Sequence, residues 1–218
     1  MRRKVYTGVI GLVAAVLFAG LGLAQAPVIG ETEIGLNGER QHVRTQETNL
    51  GNLVCDVLRY YTGADVAVYN GGGIRASADL GEITLESAME ILAFNNEVVT
   101  LKMTGAEIIA VLEHGVSVYG EVAGKFLQVG GLRFFFDPDR PVGERVLMVF
   151  VDGEAIHPEK TYTLATNDFL AAGGDAYTML EEAEQIAVAD KTDQEMFIEY
   201  LQEYSPVFPV VEGRIVVW

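Results

Sequence analysis

The chain is poor in cysteine, and this excludes one class of small exported proteins. It has one cysteine in 218 residues, so no disulfide can form within the chain and a disulfide-stapled scaffold is excluded. Cys55 falls in a segment with the apolar spacing of a helix, where a thiol packs as a small apolar side chain. Half of the residues are apolar, and a chain of this length can bury a sufficient core without cross-links.

Histidine is also scarce. The three histidines, His42, His114 and His157, are isolated; none follows an asparagine, and no Asp-x-His pattern occurs. A two-metal hydrolytic centre needs clustered carboxylates and imidazoles, so the sequence predicts no catalytic residue and no metal ligand set. It also lacks a G-x-x-x-x-G-K-[ST] phosphate loop and a G-x-S-x-G nucleophile elbow. His114, on a predicted helix, is interpreted as a surface residue rather than a catalyst.

Basic residues are few. Lys and Arg number 15 against 31 Asp and Glu, which gives a net charge of −16. Removal of the three basic residues at positions 2–4 lowers this charge to −19. Such a surface repels DNA, RNA and anionic membranes, so a nucleic-acid polymer is excluded as a partner. A small anion can bind only where local arginines overcome the overall field.

The N-terminus has the pattern of an export signal. A basic start is followed by an uncharged stretch from Val5 to Leu23 and by Ala24-Gln25-Ala26, an A-x-A cleavage pattern. We therefore expect a signal peptide at 1–26 and a periplasmic or extracellular protein. A retained membrane anchor stays open as the alternative, because the run is long enough to span a bilayer.

The remaining chain predicts one domain of α+β class, with a mixed β-sheet and packed helices. Residues 27–43 are interpreted as an N-terminal strand or linker and 44–218 as the domain. Apolar periodicity predicts a helix capped by Asn49 that runs to about Tyr61, and a short helix capped by Thr84. Further helices are predicted at 105–117 and 191–203, and strands at 65–70, 97–103, 131–136, 145–151, 161–167 and 215–218. Asp152-Gly153 is interpreted as a hairpin turn between the strands at 145–151 and 161–167. Helices and strands do not alternate strictly, which argues against a doubly wound fold.

Two segments that follow predicted strands carry the chemistry. Asn70-Gly71-Gly72-Gly73-Ile74-Arg75 supplies an amide, three backbone N–H groups and a guanidinium. The segment from Asn167 to Asp175 supplies an aromatic ring at Phe169, a pair of glycines and a carboxylate. Ligands are held at strand ends of such sheets. A ring, an amide, an arginine and an acid together suit a flat base, a diol and a negative charge, which is a nucleotide.

Five ordered motifs give the sequence a specific resemblance. They are Glu47-Thr48-Asn49-Leu50-Gly51-Asn52-Leu53, the two segments above, Phe126-Leu127-Gln128-Val129-Gly130-Gly131 and Glu212-Gly213-Arg214-Ile215. From about residue 40 onward the chain resembles the C-terminal domain of the 5′-nucleotidase family, which includes bacterial periplasmic UDP-sugar hydrolase and animal ecto-5′-nucleotidase. The resemblance implies a domain that recognises the nucleoside part of the substrate.

The resemblance also implies individual contacts. Its implied ligand set is Arg44 and Arg75 on the phosphate side, Asn70 and Gly72 near base and sugar, Phe94 and Phe169 as an aromatic clamp, and Asp175 on the ribose hydroxyls. Ala93 stands where a proline is common, and Asn95-Asn96 replaces a frequent pair of small residues, so the base preference stays open. Each residue also has an ordinary structural interpretation: core phenylalanines, a glycine turn with positive φ, a helix cap, and solvated arginines.

The resemblance implies that hydrolysis belongs to a separate metallophosphatase domain. We therefore expect the chain to bind a nucleotide or nucleoside, to bind no cofactor itself and to be inactive alone. Divalent metals are expected only on a separately encoded metallophosphatase partner. An exported, non-catalytic nucleotide-binding protein and an interaction module with a vestigial pocket remain as alternatives.

Overall fold

The computed structural model describes residues 26–218. The predicted signal peptide, apart from Ala26, lies outside the described residues. The strands are β1 (Val28–Thr32), β2 (Val66–Asn70), β3 (Gly81–Thr84), β4 (Glu97–Thr104), β5 (Leu127–Gly130), β6 (Leu132–Phe136), β7 (Val146–Val151), β8 (Glu154–Ala155), β9 (Thr161–Asn167), β10 (Glu184–Thr192) and β11 (Ile215–Val217). The helices are α1 (Asn49–Thr62), α2 (Leu85–Ile91), α3 (Gly105–Val116), α4 (Asp168–Ala171), α5 (Thr178–Glu181) and α6 (Asp193–Tyr204). A 3₁₀ turn covers Gly174–Ala176.

The central sheet confirms the α+β class. It has five strands in the order β10-β4-β9-β2-β5. β2 and β9 are parallel neighbours, whereas the other pairs in this sheet are antiparallel. Because parallel strands end at the same edge, Asn70 at the end of β2 and Asn167 at the end of β9 come side by side. The topology therefore joins the two segments that the sequence singled out.

The sheet is buried on both faces, and β2 shows this residue by residue. Ala67 and Tyr69 point into a core shared with α1, α2 and α6. Val66 and Val68 point to the other side, into a core shared with α3 and the sheet β11-β6-β7-β8. Successive side chains of a strand face opposite sides, so a strand buried on both faces has a continuous apolar sequence.

Helix α1 forms where its apolar spacing predicts it, but its cap is one residue earlier than expected. Thr48, not Asn49, is the N-cap, and its side chain accepts a hydrogen bond from the Gly51 N–H at 3.0 Å. The Asn49 side chain instead accepts from the Asn37 N–H at 2.9 Å and so ties the preceding loop to the helix. The cap of α2 is Thr84, as predicted.

Two of the recognised motifs serve the architecture. The buried carboxylate of Glu47 accepts from the backbone N–H groups of Glu212 and Arg214, each at 2.7 Å. The Arg214 guanidinium donates to both oxygens of Asp56 at 2.8 and 2.7 Å. These contacts fasten the last strand to α1. Cys55 is buried and unpaired, and burial raises the pKa of its thiol, as expected for a packing residue.

One turn differs from the sequence-based prediction. The Asp152-Gly153 turn connects β7 to the short strand β8 rather than to β9. Residues 27–43 contain β1, which pairs with β3, and they contribute the buried Leu36 and Val43 to the core. Within residues 26–218, no helix has the length and apolar character needed to cross a membrane.

Candidate functional site

A cavity of about 390 Å³ opens at the edge of the sheet where β2 and β9 end. This volume lies within the usual range for small-molecule pockets. Its lining includes most of the predicted ligand set, namely Arg44, Asn70, Gly72, Phe94, Phe169 and Asp175. Arg75 does not line the cavity. It is exposed beside this lining, where it donates to the Gly72 carbonyl at 3.3 Å and has its guanidinium carbon 5.5 Å from the centre of the Phe94 ring.

A chain of side-chain amides orients the polar side of the cavity. Asn167 caps α4 through its Oδ1, which accepts from the Leu170 N–H at 2.9 Å, and its Nδ2 donates to Asn70 Oδ1 at 3.1 Å. Asn70 in turn donates through Nδ2 to Asp175 Oδ2 at 3.1 Å. Because each amide has one partner on each side, the orientation of every member is determined. Asp175 retains a carboxylate oxygen, Oδ1, for a ligand donor.

The loop that carries Asp175 has a strained backbone. Asp175 has φ 53° and Ala176 has φ 66°, a left-handed conformation that is uncommon for residues other than glycine. Gly173 also has φ 80°. At Gly174 a Cβ would lie 2.4 Å from the Phe169 carbonyl oxygen and 2.6 Å from its ring, so only glycine fits beneath that ring. Such strain persists where the surroundings hold it, and it is concentrated at functional sites.

His114 is one of the groups that hold this loop. Its Nε2 lies 2.9 Å from the backbone oxygen of Asp175, which can only accept, so the Nε2–H donates. The imidazole also packs edge-on against Tyr177, with ring centres 4.5 Å apart. His114 is therefore half-buried and supports the site, which corrects its interpretation as a surface residue. The contact joins positions 61 residues apart, and no local pattern in the sequence signals it.

The two aromatic rings of the predicted clamp are exposed at the cavity. Phe94 is 60% exposed and Phe169 is 46% exposed, although both are large apolar side chains. Exposed phenylalanines grouped at one cavity indicate a binding surface for an apolar or aromatic group rather than part of the core. The interpretation of these residues as core phenylalanines is thus excluded, while their action as a clamp stays a prediction.

The glycine segment has a different role from the expected one. The N–H groups of Gly71, Gly72 and Gly73 donate to the backbone oxygens of Phe126, Gly124 and Asn70 at 2.7–2.8 Å, so they are not available to a ligand. None of the three has a positive φ. Their common feature is close approach: a Cβ at Gly71 would lie 2.0 Å from the Val43 oxygen. The glycines let neighbouring backbone segments meet behind the cavity.

Arg44 is a buried cation in the lining of the cavity. It is only 7% exposed, and its Nε has no hydrogen-bond partner among residues 26–218. Burial, followed by the nearby Arg40 and Arg75, lowers the pKa of the guanidinium, and Asp175 opposes this. No ion pair engages these three arginines in the described part of the chain. An anion would relieve this concentration of positive charge. Arg40 was not identified from the sequence.

The buried amide of Gln128 holds the segment that carries Arg44. Its Nε2 donates to the backbone oxygens of Val43 at 3.0 Å and Gln46 at 2.7 Å, and its Oε1 accepts from the Thr48 N–H at 3.0 Å. These contacts occupy the amide fully and fix the backbone on both sides of Arg44. The glutamine motif is therefore structural, and it positions a site residue.

Metal ligands are not grouped in this part of the molecule. Among residues 26–218, no three or more histidine, cysteine, aspartate or glutamate side chains come together in a way that could hold a metal ion. The residues present do not fit a two-metal centre.

Comparison with known proteins decides the family. The family model for the 5′-nucleotidase C-terminal domain matches residues 28–182. The chain belongs to this family. It is 40% identical over 197 residues to the trifunctional nucleotide phosphoesterase protein YfkN of Bacillus subtilis, covering 86% of this chain and 14% of that protein. It is 33% identical to the 5′-nucleotidase of Diplobatis ommata, covering 86% of this chain and 36% of that one.

Solved structures agree with this assignment. The crystal structure of a 5′-nucleotidase precursor from Thermus thermophilus matches with a TM-score of 0.83 and 44% identity, over 88% of this chain and 39% of that one. The fold of this 5′-nucleotidase C-terminal domain is thus shown by sequence and structure together. The chain spans 14%, 36% and 39% of the lengths of these three proteins, which is well under two thirds of each.

Proposed function

We propose that this 5′-nucleotidase C-terminal domain binds a nucleotide in the cavity at the ends of β2 and β9 and presents its phosphate to a metallophosphatase domain. The observation that carries the proposal is the meeting of exposed rings, a carboxylate fixed by amides and a buried arginine in one cavity. The rings suit a base, the carboxylate suits the ribose hydroxyls, and the arginine suits a phosphate.

The phosphate end is assigned to the arginines. Arg44 lines the cavity with an unpartnered Nε, and Arg40 and Arg75 add positive charge close by. A guanidinium is planar and always charged, and it matches two phosphate oxygens at once. Because the chain as a whole is acidic, this local excess of positive charge supports an anion site rather than a solvated surface.

The nucleoside end of the ligand is assigned to Asp175 and the two phenylalanines. Asp175 can accept hydrogen bonds from two vicinal hydroxyls, the way in which carboxylates bind ribose in dinucleotide folds. Phe94 and Phe169 can stack on the faces of a base, a contact worth about 1–3 kcal/mol per base and tolerant of base identity. Together these contacts support micromolar binding, on the order of −8 kcal/mol.

Hydrolysis is assigned to a metallophosphatase domain outside residues 26–218, and we place it on a separately encoded chain. The support is the ungrouped distribution of potential metal ligands in the described residues. The role of this chain is then positioning, which can contribute strongly because a displacement of about 1 Å can lower a rate ~10²-fold. Export is also proposed, on the basis of the A-x-A pattern at residues 24–26.

Calorimetric titration tests the binding proposal. The purified chain is titrated with AMP, adenosine, UMP and UDP-glucose, and at least one is expected to bind with a Kd on the order of micromolar. Failure of all four ligands to bind at millimolar concentration would refute nucleotide recognition.

A phosphate-release assay tests the division of labour. Supplied with Mg²⁺, Mn²⁺ or Zn²⁺, the chain alone should release no phosphate from AMP above the metal-only control. A matching metallophosphatase chain should restore turnover. Hydrolysis by the homogeneous chain that disappears in Asp175→Asn would contradict the proposal. Binding without stimulation of any phosphatase would favour a non-catalytic binding protein.

A further inference from the structure

A buried acid lies directly behind the cavity, on the side of α6. Asp193 is the first residue of that helix and is fully buried. Its Oδ2 accepts a hydrogen bond from the Tyr69 hydroxyl at 2.7 Å and another from Asn96 Nδ2 at 3.0 Å. A buried carboxylate is costly unless it has partners, so packing alone does not explain an acid at this position.

One partner of Asp193 lines the cavity, and the other is buried beneath the lining. Asn96 lines the cavity, and its backbone oxygen accepts from the Asp193 N–H at 2.9 Å. The ring of Tyr69 supports the glycine segment, since a Cβ at Gly73 would lie 2.5 Å from that ring. The turn that carries Asn96 also carries Phe94, and Asn95 in the same turn accepts from the Thr192 hydroxyl at 2.6 Å. The start of α6 is therefore connected to the cavity wall by several hydrogen bonds.

The carboxylate of Asp193 orients the side-chain amide of Asn96. An ionised carboxylate only accepts hydrogen bonds, so the amide nitrogen of Asn96 must point toward Asp193. The amide oxygen then points away from Asp193, and among residues 26–218 no donor engages it. Burial raises the pKa of the Asp193 carboxyl, while donation from Tyr69 and Asn96 opposes that rise. The two donors to Oδ2 and the N-terminal turn of α6 favour the ionised form, whereas Oδ1 is buried without a hydrogen-bond partner among residues 26–218.

We propose that Asp193 is a positioning residue that sets the hydrogen-bonding polarity of the cavity: through Asn96 it presents a carbonyl oxygen to the base. This inference rests on the proposed function. A carbonyl oxygen pairs with a hydrogen-bond donor, so the site favours bases with an exocyclic amino group, adenine and cytosine, over their oxo counterparts, hypoxanthine and uracil. Nothing in this assignment depends on the arginines or on Asp175.

Titration of the full chain with AMP and IMP tests the proposal, because these ligands differ in the amino and oxo groups of the base. The wild type should bind AMP about tenfold more tightly than IMP, the difference expected from one hydrogen bond in a shielded site. Asp193→Asn frees the Asn96 amide to turn, and the preference should fall to about twofold or less. Asp190→Asn, which removes the same charge at an exposed position, should keep the wild-type preference.

A second variant and a spectroscopic measurement keep the test decisive if Asp193→Asn folds poorly. Asn96→Ala removes the carbonyl oxygen and should likewise abolish the preference for AMP. In NMR spectra of the ligand-free chain, the side-chain amide protons of Asn96 should be protected from exchange in the wild type and lose this protection in Asp193→Asn.

The outcomes separate this inference from the proposed function. Absence of binding by AMP and IMP in the wild type would refute the proposed function, while the NMR measurement still reports on the positioning of Asn96. Binding with a preference for IMP, an unchanged preference in Asp193→Asn or Asn96→Ala, or Asn96 amide protection that survives Asp193→Asn would overturn the inference.

Discussion

Replacing Phe169 with alanine should weaken the binding of adenosine and AMP by the same factor. The ring lines the cavity and is 46% exposed, so the substitution removes a stacking face that the free protein leaves accessible. Alanine substitution of a stacked ring costs about 1–3 kcal/mol of binding free energy, which corresponds to an increase in Kd of about 5- to 150-fold. Both ligands should be affected equally, because they carry the same base.

The same substitution should leave the fold intact. Truncation of a fully buried phenylalanine costs about 3–5 kcal/mol of unfolding free energy. Since about half of the Phe169 surface is already exposed, we expect a loss of about 1.5–2.5 kcal/mol. The ring packs over Gly174, and loss of this contact accounts for the expected decrease in unfolding free energy. Thermal melts of the free protein measure this cost separately from binding.

Phe208→Ala is the matched control. Phe208 is 59% exposed and lies outside the lining of the cavity, so its removal should leave both Kd values unchanged. Calorimetric titration of the wild type and both variants with adenosine and AMP measures the difference. Equal Kd values for wild type and Phe169→Ala would refute the reasoning that the exposed ring binds the base.

Other substitutions separate the remaining parts of the site. Arg44→Met should weaken AMP about tenfold or more and adenosine little, because a charge-assisted hydrogen bond is worth about 1.5–3 kcal/mol; the exposed Arg140→Met should change neither, and an equal loss for both ligands would contradict a phosphate role. His114→Ala should weaken adenosine about fivefold, since it removes a donor to the Asp175 loop worth about 1 kcal/mol; unchanged affinity would show that the loop needs no such support. The raised pKa of Asp193 means that its folded form holds a proton more tightly than its unfolded form. Its ionisation therefore lowers stability as pH rises above its ordinary value of 3.8. The melting temperature of Asp193→Asn relative to wild type should consequently increase with pH above that value, and a difference independent of pH would contradict this.

The sequence predicted the helices and strands in which apolar residues follow a regular pattern. The helix α1 and the strands β2, β4 and β9 were found because their apolar residues recur at helical spacing or form buried runs. Strand β10 was missed because most of its residues are exposed, so it shows no burial pattern. It is instead held as an edge strand by pairing with β4, which a local pattern does not reveal.

The candidate site was predicted to the extent that its residues occur in local motifs. Asn70 and Asp175 were identified from two segments that the parallel pairing of β2 and β9 then brings together. Arg40 was missed although it lies only four residues before Arg44, since no motif contains it. The supporting roles of His114 and Asn96 were not identified, because they arise from contacts with the distant Asp175 and Asp193. The expected use of the glycine N–H groups was wrong for the same reason, since their acceptors lie mainly in the distant segment 124–126.

A crystal structure of the chain with bound AMP tests the central claim most directly. We predict a base between Phe94 and Phe169, ribose hydroxyls on Asp175 and a phosphate beside Arg44, with the fold unchanged. AMP bound elsewhere, or bound in the cavity with its phosphate directed away from Arg44, would contradict the account.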